Sequence, residues 1–283
     1  MRVIDKASHG IDQAAISRAA LSVVHRLREG GFEAFIVGGA VRDLLINGQP
    51  KDFDVATNAT PEQTKALFRS ARIIGRRFQI VHVRQGREII EVTTYRGHHD
   101  SDEAKPSTSK QSEKGLLLRD NVYGSLEDDA KRRDLTVNAM YYDPDDESVL
   151  DQQSGLEDIE ARLIRIIGDP ATRYREDPVR MLRVVRFSAR LQFDIESETA
   201  EAIAVCGPLL SEIPAARLFD EFLKLFMSGH AKSTFLLLCN YDLLRYLTPE
   251  AAERIAKEPR YKQMVTAAMQ STDQRVRKDR PVT

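Results

Sequence analysis

Two aspartates, Asp52 and Asp54, have the residue type and spacing needed to bind a metal ion. If residues 52–55 form a strand, the two carboxylates lie on the same face of a sheet. Two negative charges this close together favour a cation between them. Mg²⁺ suits this role, because it usually binds through one or two carboxylates together with substrate phosphates. The spacing therefore predicts either metal-assisted chemistry at a phosphate or, as the alternative, a surface strand with two exposed acids.

A pair of glycines precedes these aspartates. The apolar run Phe32–Val37 predicts a buried strand, and Val41–Ile46 predicts a short helix. Gly38 and Gly39 lie between the two, where backbone N–H groups can bind an anion. A plain tight turn explains the pair alone equally well. A glycine turn followed by Asp-x-Asp on the next strand, however, supplies the parts that phosphoryl or nucleotidyl transfer needs.

The elements that must position these residues divide the sequence into two parts. Up to Gly155, strand patterns alternate with short helices, and Thr60 begins one helix with a capping-box pattern. Beyond Gly155 the apolar spacing is helical, most clearly over Asp177–Leu191. We therefore predict an α+β fold, with a mixed sheet and flanking helices over residues 1–155 and an all-helical part over residues 156–283.

One acidic residue, Glu91, lies inside an apolar strand. The strand Glu88–Tyr95 forms a predicted hairpin with Gln79–Arg84. An acid in such a strand belongs either to the solvated face of the sheet or to a functional site. The pattern leaves both interpretations open.

Composition limits the classes of protein that this chain can be. Its 283 residues carry a formal net charge of -1, so a surface for nucleic acid would have to be a local basic cluster. Cys206 and Cys239 lie in apolar helical stretches, which favours free buried thiols and no disulfide-linked partner. We find neither a signal-peptide pattern nor an apolar run of membrane-spanning length. We expect a cytoplasmic protein with no membrane partner.

Four motifs, in this order, resemble the bacterial branch of the polymerase-beta-type nucleotidyltransferases. They are Gly38–Asp43, Asp52–Asp54, Arg132–Asn138 and Glu176–Arg183. The branch holds two sister activities, the tRNA CCA-adding enzymes and the bacterial poly(A) polymerases. The run Ile73–Val83 resembles the segment that characterises the poly(A) polymerases, so the resemblance favours that activity.

The resemblance implies a role for each motif. Asp52 and Asp54 would hold two Mg²⁺ ions, which activate an RNA 3′-hydroxyl and bind the triphosphate of ATP. Asp134 would complete the catalytic set near the nucleotide sugar, and Glu91 would supply a third carboxylate. The other nucleotide-binding residues implied for the first part of the chain are Gly38, Gly39, Arg42 and Arg133.

The last motif implies recognition of the nucleotide base by Asp177 and Arg180. Residues three apart share a helix face, where a carboxylate accepts from an exocyclic amine and a guanidinium donates to ring nitrogens. Arg183 would meet the triphosphate or the base. The alternative is that Asp177 caps the helix and Arg180 forms a surface ion pair. Eight arginines and four acids lie between Glu160 and Arg190, a local basic cluster that fits phosphates.

The leading hypothesis is a template-independent RNA adenylyltransferase, with ATP and RNA 3′ ends as partners. The alternatives are a tRNA CCA-adding nucleotidyltransferase and a shortened, non-catalytic RNA-binding protein; retention of Asp52 and Asp54 argues against the latter. Family members generally continue with more helices, so residues 156–283 would form a neck and a partial body that bind the base and RNA. Residues 1–155 would form the catalytic head.

Overall fold

A mixed eight-stranded sheet is the centre of the first of two units in the computed structural model. The units are Met1–Ala161 and Arg162–Thr283. The structure describes residues 1–75, 79–97, 109–111, 117–120 and 122–282, with only the backbone of 109–111 and 117–120. Sheet and helices together confirm the predicted α+β class. Residues 76–78, part of the run that favours the poly(A) polymerases, lie outside the described residues.

The strands of the first unit are short. In the described ranges they are β1 (Arg2–Ile4), β2 (Ala34–Val37), β3 (Asp54–Thr57), β4 (Ala71–Ile74), β5 (Ile80–Gln85), β6 (Glu88–Thr94), β7 (Ser109–Gln111), β8 (Leu117–Asp120), β9 (Met140–Tyr142) and β10 (Val149–Asp151). The sheet has the order β1-β10-β9-β2-β3-β6-β5-β4, and β7 pairs with β8 apart from it. Strands β3 and β6 are parallel, and the other neighbours in the sheet are antiparallel. The predicted hairpin is confirmed as β5 and β6.

The first unit also contains several short helices. The helices of the first unit, in the described ranges, are α1 (Lys6–His9), α2 (Arg18–Glu29), α3 (Gly39–Leu45), α4 (Pro61–Leu67), α5 (Leu126–Arg132) and α6 (Gly155–Glu160). Helix α2 buries Ala20, Val23, Val24 and Leu27, whose spacing makes one apolar stripe. The predicted capping box at Thr60 is confirmed, since its side chain and that of Gln63 each accept from the other's backbone.

Alternation along the strands separates apolar from polar side chains. Val55 and Val92 pair in register and are at most 1% exposed, on the face that α2 covers. The residues immediately before them, Asp54 and Glu91, point to the other side of the sheet and are partly exposed. We call this second side of the sheet the open face. Helix α5 packs on one end of it, where Ala130 joins a buried cluster.

Helix α6 belongs to the first unit. The Thr136 hydroxyl donates to the Asp158 carboxylate at 2.6 Å. A side chain at Gly155 would collide with the Thr136 carbonyl, so the glycine allows the helix to approach closely. The boundary expected near Gly155 thus lies at the start of this helix, and the second unit begins after it, at Arg162.

The second unit is mainly helical. Its helices are α7 (Pro170–Glu176), α8 (Val179–Leu191), α9 (Ser197–Cys206), α10 (Ala215–Phe226), α11 (Ala231–Asn240), α12 (Leu244–Leu247), α13 (Pro249–Lys257) and α14 (Pro259–Val276). It also contains one short parallel pair, β11 (Leu163–Ile164) with β12 (Asp194–Ile195), which the all-helical prediction missed. Helix α8 buries Met181, Val184 and Val185 as predicted. It begins at Val179 instead of Asp177, because Asp177 ends α7 with an extended backbone.

Two expectations concern the whole chain. Cys206 is buried, Cys239 is partly buried, and both are free thiols. Among the described residues, none of the helices combines the length and the apolar composition required to cross a bilayer.

Candidate active site

Three polar side chains form a row across the open face. Asp54 on β3 is in register with Glu91 on β6, and Glu91 lies opposite His82 on β5. Since neighbouring strands are only about 4.8 Å apart, paired residues present their side chains side by side. Nε2 of His82 is 3.2 Å from Oε1 of Glu91. The Glu91 side chain is 47% exposed, so this acid is both solvated and adjacent to Asp54.

Asp52 precedes the strand, so the expected strand over residues 52–55 is wrong in its first half. Strand β3 begins at Asp54, opposite Val37, the last residue of β2. Beyond Val37 the chain turns at Gly38, whose N–H donates to the Met140 carbonyl, and β2 offers no further partner. Asp52 is exposed at this end of the strand.

The charge of Asp54 is unfavourable in its surroundings. Burial, then the charge of Glu91 and, to a smaller extent, that of Asp52 raise the pKa of Asp54 from 3.8 to about 6, while Arg133 opposes the shift. Desolvation and neighbouring negative charges both favour the protonated acid. A cation held by these carboxylates would reverse that preference and favour the ionised form.

The donor set suits a hard divalent ion. Within the ranges that the structure describes, no group of three or more His, Cys, Asp or Glu side chains is arranged to hold a metal ion. Mg²⁺ does not require such a group, since it is usually bound by one or two carboxylates and the phosphates of a substrate. Asp54, with Asp52 and Glu91 close enough to shift its pKa, meets this description.

The turn at Gly38 and Gly39 is constrained by contacts that the sequence does not reveal. Gly38 has a φ of 78°, a conformation that favours glycine. Its N–H is already bound to Met140 O at 3.1 Å and is not available to an anion. A Cβ at Gly39 would lie 3.4 Å from Nη2 of Arg42. Binding of nucleotide by the two glycines stays a prediction.

Arg42 lies beneath this turn. Its side chain is only 1% exposed, and its guanidinium donates to Asp43 Oδ1 at 2.6 and 2.9 Å and to Asn138 Oδ1. These bonds hold helix α3 against the segment that leads into β9. Contact between Arg42 and nucleotide stays a prediction, and these buried hydrogen bonds give Arg42 a positioning role.

A basic cleft of about 190 Å³ adjoins the carboxylates. Its lining, which we call the arginine cleft, consists of Thr93, Arg96, Asp129, Arg132 and Arg133. Thr93 follows Glu91 by two residues on β6 and therefore shares its face of the sheet. The volume suits part of a nucleotide, such as its phosphates, since pockets for whole ligands are larger, about 300 Å³ or more.

Arg133 is held in this cleft by a buried network. Its Nε and Nη2 donate to Asp129 Oδ2 at 3.1 and 2.9 Å. The Tyr141 hydroxyl donates to the same oxygen at 2.7 Å. Burial alone would lower the pKa of Arg133, but Tyr141 and Asp129 raise it overall, so the guanidinium stays charged. Its side chain is 21% exposed and can still meet an anion in the cleft.

Asp134 is partly buried directly after Arg133. Its Oδ1 accepts from the Leu135 N–H at 2.9 Å. The chain then forms a 3₁₀ turn at Thr136–Asn138 before β9 begins. The expected role of Asp134 near the nucleotide sugar stays a prediction.

Asp177 and Arg180, in the second unit, each have a different intramolecular partner. Asp177 Oδ2 accepts from Arg217 Nη2 at 2.7 Å. Arg180 Nη1 donates to Glu176 Oε2 at 2.8 Å and to the carbonyl of Arg173 at 2.9 Å. The ion pair proposed as the alternative for Arg180 is therefore present, but the Arg180 side chain is only 13% exposed, so the pair is largely buried and not on the surface. A nucleotide base would meet side chains whose positions the protein already determines.

Asp177 also has the capping role proposed as an alternative, although weakly. Its Oδ1 accepts from the Val179 N–H at 3.3 Å. Arg183 lies further along α8, with its guanidinium carbon 5.8 Å from the centroid of the Phe187 ring, within cation–π range. Base recognition by these three residues stays a prediction.

Several site residues were not predicted from the sequence, among them Asp129, Tyr141 and Arg217. Asp129 and Arg133 are four residues apart in a charged helical segment, a spacing that could have indicated their ion pair. Arg217 reaches Asp177 from 40 positions away, and no local pattern signals that contact.

Comparison with known proteins gives two family matches. The family described as "Poly A polymerase head domain" matches residues 34–165. The family described as "Probable RNA and SrmB-binding site of polymerase A" matches residues 192–255.

Curated relatives and a solved structure agree with these matches. Poly(A) polymerase I of Escherichia coli O6:H1 is 48% identical over 279 residues, covering 98% of this chain and 60% of the relative. That of Haemophilus influenzae is 50% identical over 277 residues, covering 97% and 61%. The chain thus spans about 60% of the length of these relatives. The Bacillus stearothermophilus CCA-adding enzyme in complex with CTP matches with a TM-score of 0.69 and 35% identity, covering 81% of this chain and 53% of that chain.

Proposed function

Because this chain belongs to the family of poly(A) polymerases and tRNA nucleotidyltransferases, we propose that it is a template-independent RNA adenylyltransferase. The 3′-oxygen of RNA attacks the α-phosphorus of ATP, the bond to the β-phosphate oxygen breaks, and pyrophosphate leaves. The observation that carries the proposal is the register of Asp54 with Glu91 on the open face, next to the arginine cleft. A cation and a polyphosphate would both be stabilised there.

We assign the metal ligands to Asp52 and Asp54, with Glu91 beside them. When bound, two Mg²⁺ ions would polarise the α-phosphate and lower the pKa of the RNA 3′-hydroxyl. Strand β3 holds Asp54 in place through the buried residues Val55 and Ala56. Asp134, adjacent to the arginine cleft, is the third catalytic acid in this proposal.

The arginine cleft would hold the β- and γ-phosphates of ATP. Guanidinium groups bind phosphate oxygens in a bidentate manner and stabilise the charge that develops on the leaving pyrophosphate. Arg133 contributes a charge that its pairing with Asp129 maintains. Gly38 and Gly39 would allow the phosphates to approach the backbone, and Arg42, next to Gly39, supports their turn.

Adenine would be recognised by residues of α8 and by Asp177, which precedes this helix. Asp177 accepts one hydrogen bond from Arg217 and retains lone pairs that can accept from the adenine amine. Arg180, positioned by Glu176, would donate to a ring nitrogen, and Arg183 would contact the base or the triphosphate. Catalysis is thus assigned to the first unit, and base and RNA binding to the second.

The partners in this proposal are ATP and RNA 3′ ends, and both substrates occur in the cytoplasm. The family description for residues 192–255 names RNA as a bound partner, which supports RNA binding by the second unit. The third hypothesis, RNA binding without catalysis, leaves the paired acids without a function.

The second candidate, a CCA-adding enzyme, is favoured by the similarity to the CTP-bound enzyme of Bacillus stearothermophilus. The higher identity to poly(A) polymerases favours adenylation. The two activities differ in nucleotide choice and in the RNA that they accept.

The test measures nucleotide addition to two labelled RNAs, a tRNA that lacks its CCA end and an unstructured oligonucleotide. We expect many AMP residues on both RNAs and little addition from CTP. Addition of only C, C and A to the tRNA would establish the second candidate instead. RNA binding without addition, with Asp52→Ala indistinguishable from wild type, would establish the third.

A further inference from the structure

A second basic cleft lies on the open face, at the free edge of the sheet. It has a volume of about 380 Å³, larger than the arginine cleft. We call it the edge cleft. The residues that line it include Arg69, Ser70, Arg72, His82, Arg84 and Ile89. These side chains come from the turn before β4, from β4 and β5, and from the start of β6, so the cleft belongs entirely to the first unit.

Strand register connects this cleft to the carboxylates. Arg72 pairs with His82, His82 pairs with Glu91, and Glu91 pairs with Asp54. The four side chains form one row on one face, because directly paired residues point to the same side of a sheet. Three strand spacings separate Arg72 from Asp54, roughly 14 Å.

The two clefts lie on opposite sides of Glu91. Along β6 the residues that share its face are Ile89, which lines the edge cleft, and Thr93, which lines the arginine cleft. In phosphoryl transfer the attacking and leaving oxygens lie roughly in line, on opposite sides of the phosphorus. If one cleft holds the leaving pyrophosphate, the RNA that carries the attacking oxygen approaches from the other.

The three arginines of the edge cleft have no acidic partner among the residues that the structure describes. Throughout the described ranges, no acidic side chain forms an ion pair with Arg69, Arg72 or Arg84, whereas Arg133 in the arginine cleft is paired with Asp129. Three such guanidinium groups along an open cleft favour a ligand with several successive negative charges. Ile89, 57% exposed, adds an apolar surface suited to a ribose or base.

We propose that the edge cleft binds the phosphates of the RNA strand next to its 3′ end, so that the strand crosses β4 and β5 to reach Asp54. This inference rests on the proposed function. It adds an RNA contact in the first unit to the one that the family description assigns to residues 192–255. Arg69, Arg72 and Arg84 contact phosphates and do not take part in the chemistry.

The test uses the full chain with Arg69→Gln and Arg72→Gln combined. Both side chains are exposed, so the substitutions remove charge without opening the core. The matched control combines Arg18→Gln with Arg26→Gln on α2, which covers the other face of the sheet. Arg84→Gln is an independent second variant, should the first pair fail to fold in thermal unfolding.

The first measurement is the affinity for a fluorescent single-stranded RNA at several salt concentrations, without ATP. The slope of log affinity against log salt changes by about 0.7 per phosphate contact for single strands. We expect the double variant to lose about 1.4 from the magnitude of the slope and on the order of tenfold in affinity. The α2 control keeps the wild-type values.

The second measurement separates RNA from ATP. We expect the KM for RNA to rise in the edge-cleft variants while the KM for ATP stays unchanged. Wild-type RNA affinity and slope in a folded edge-cleft variant would overturn the proposal. So would an equal loss in the α2 control, or a rise in the KM for ATP alone, which would assign the cleft to the triphosphate. If the chain adds no nucleotide, the proposed function fails. The binding measurement would still show whether the edge cleft binds RNA.

Discussion

Asp54 in the first unit and Asp177 in the second, both expected to contact a nucleotide or its metal, have opposite surroundings. The neighbours of Asp54 include two further acids, Glu91 and Asp52, and its pKa is raised to about 6 by burial and by their charges. Asp177 accepts from the guanidinium of Arg217 at 2.7 Å. A cation bound at the first site would stabilise its ionised carboxylates, whereas Arg217 already provides the positive charge beside the second.

This contrast explains what each region can do. Like charges in a partly buried site favour metal binding, and at Asp54 the charge of Arg133 opposes the raised pKa only in part. A carboxylate held by an arginine is fixed in orientation before any ligand arrives. Chemistry that depends on a metal thus fits the first region, and recognition by hydrogen bonds fits the second.

The largest effect should follow from Asp54→Asn. The variant keeps the size of the side chain but removes a metal ligand, so we expect the rate of AMP addition to fall about 1000-fold, equal to roughly 4 kcal/mol. Initial rates with labelled RNA measure this loss. The matched control is Asp242→Asn, an exposed acid of the second unit, which should leave the rate unchanged. A rate within tenfold of wild type would remove Asp54 from the catalytic set.

A smaller effect is expected from Tyr141→Phe. The change removes the donor to Asp129 and leaves a buried carboxylate with one hydrogen bond fewer, so we expect the free energy of unfolding to fall by roughly 1 to 3 kcal/mol. Urea denaturation measures the difference. Tyr261→Phe, on the partly exposed α14, is the control. Unchanged stability would mean that the network around Arg133 does not depend on Tyr141.

The pH dependence of stability tests the raised pKa of Asp54 directly. Its folded-state pKa of about 6 is above the ordinary value of 3.8, so between these values the folded protein binds more protons than the unfolded chain. Stability without metal should therefore rise as the pH falls through 6, by roughly 1 kcal/mol between pH 7 and pH 5. Comparison with Asp54→Asn isolates this contribution, because the amide cannot titrate. Parallel curves for the two proteins would contradict the raised pKa.

The smallest effect should follow from Arg217→Gln. The ion pair with Asp177 is partly exposed, so its loss should cost only about threefold in the KM for ATP and in the preference for ATP over CTP. A double-mutant cycle with Asp177→Asn should give a clear interaction energy, since the two side chains are in contact. Arg254→Gln, in an exposed pair with Glu258, is the control. Additive effects would show that Arg217 does not position Asp177.

Much of the fold was predictable because local rules determine it. Apolar spacing located α8, the strand pattern located the β5–β6 hairpin, and the capping box at Thr60 began α4 as expected. The predicted element boundaries were wrong where a contact with a distant segment overrides the local sequence pattern. Strand β3 begins at Asp54 because β2 turns away at Gly38, a limit that residues 52–55 do not reveal.

The sequence by itself determined which residues could bind metal and phosphate, since residue type, spacing and motif order are local properties. Only the tertiary structure decided how these residues are used. The register of β3 with β6 brought Glu91 beside Asp54, and burial converted their proximity into a raised pKa. Folding also paired Asp177 with Arg217 and left the arginines of the edge cleft without acidic partners in the described ranges. Contacts between distant segments and the removal of water set these properties, and neither can be read from a single stretch of chain.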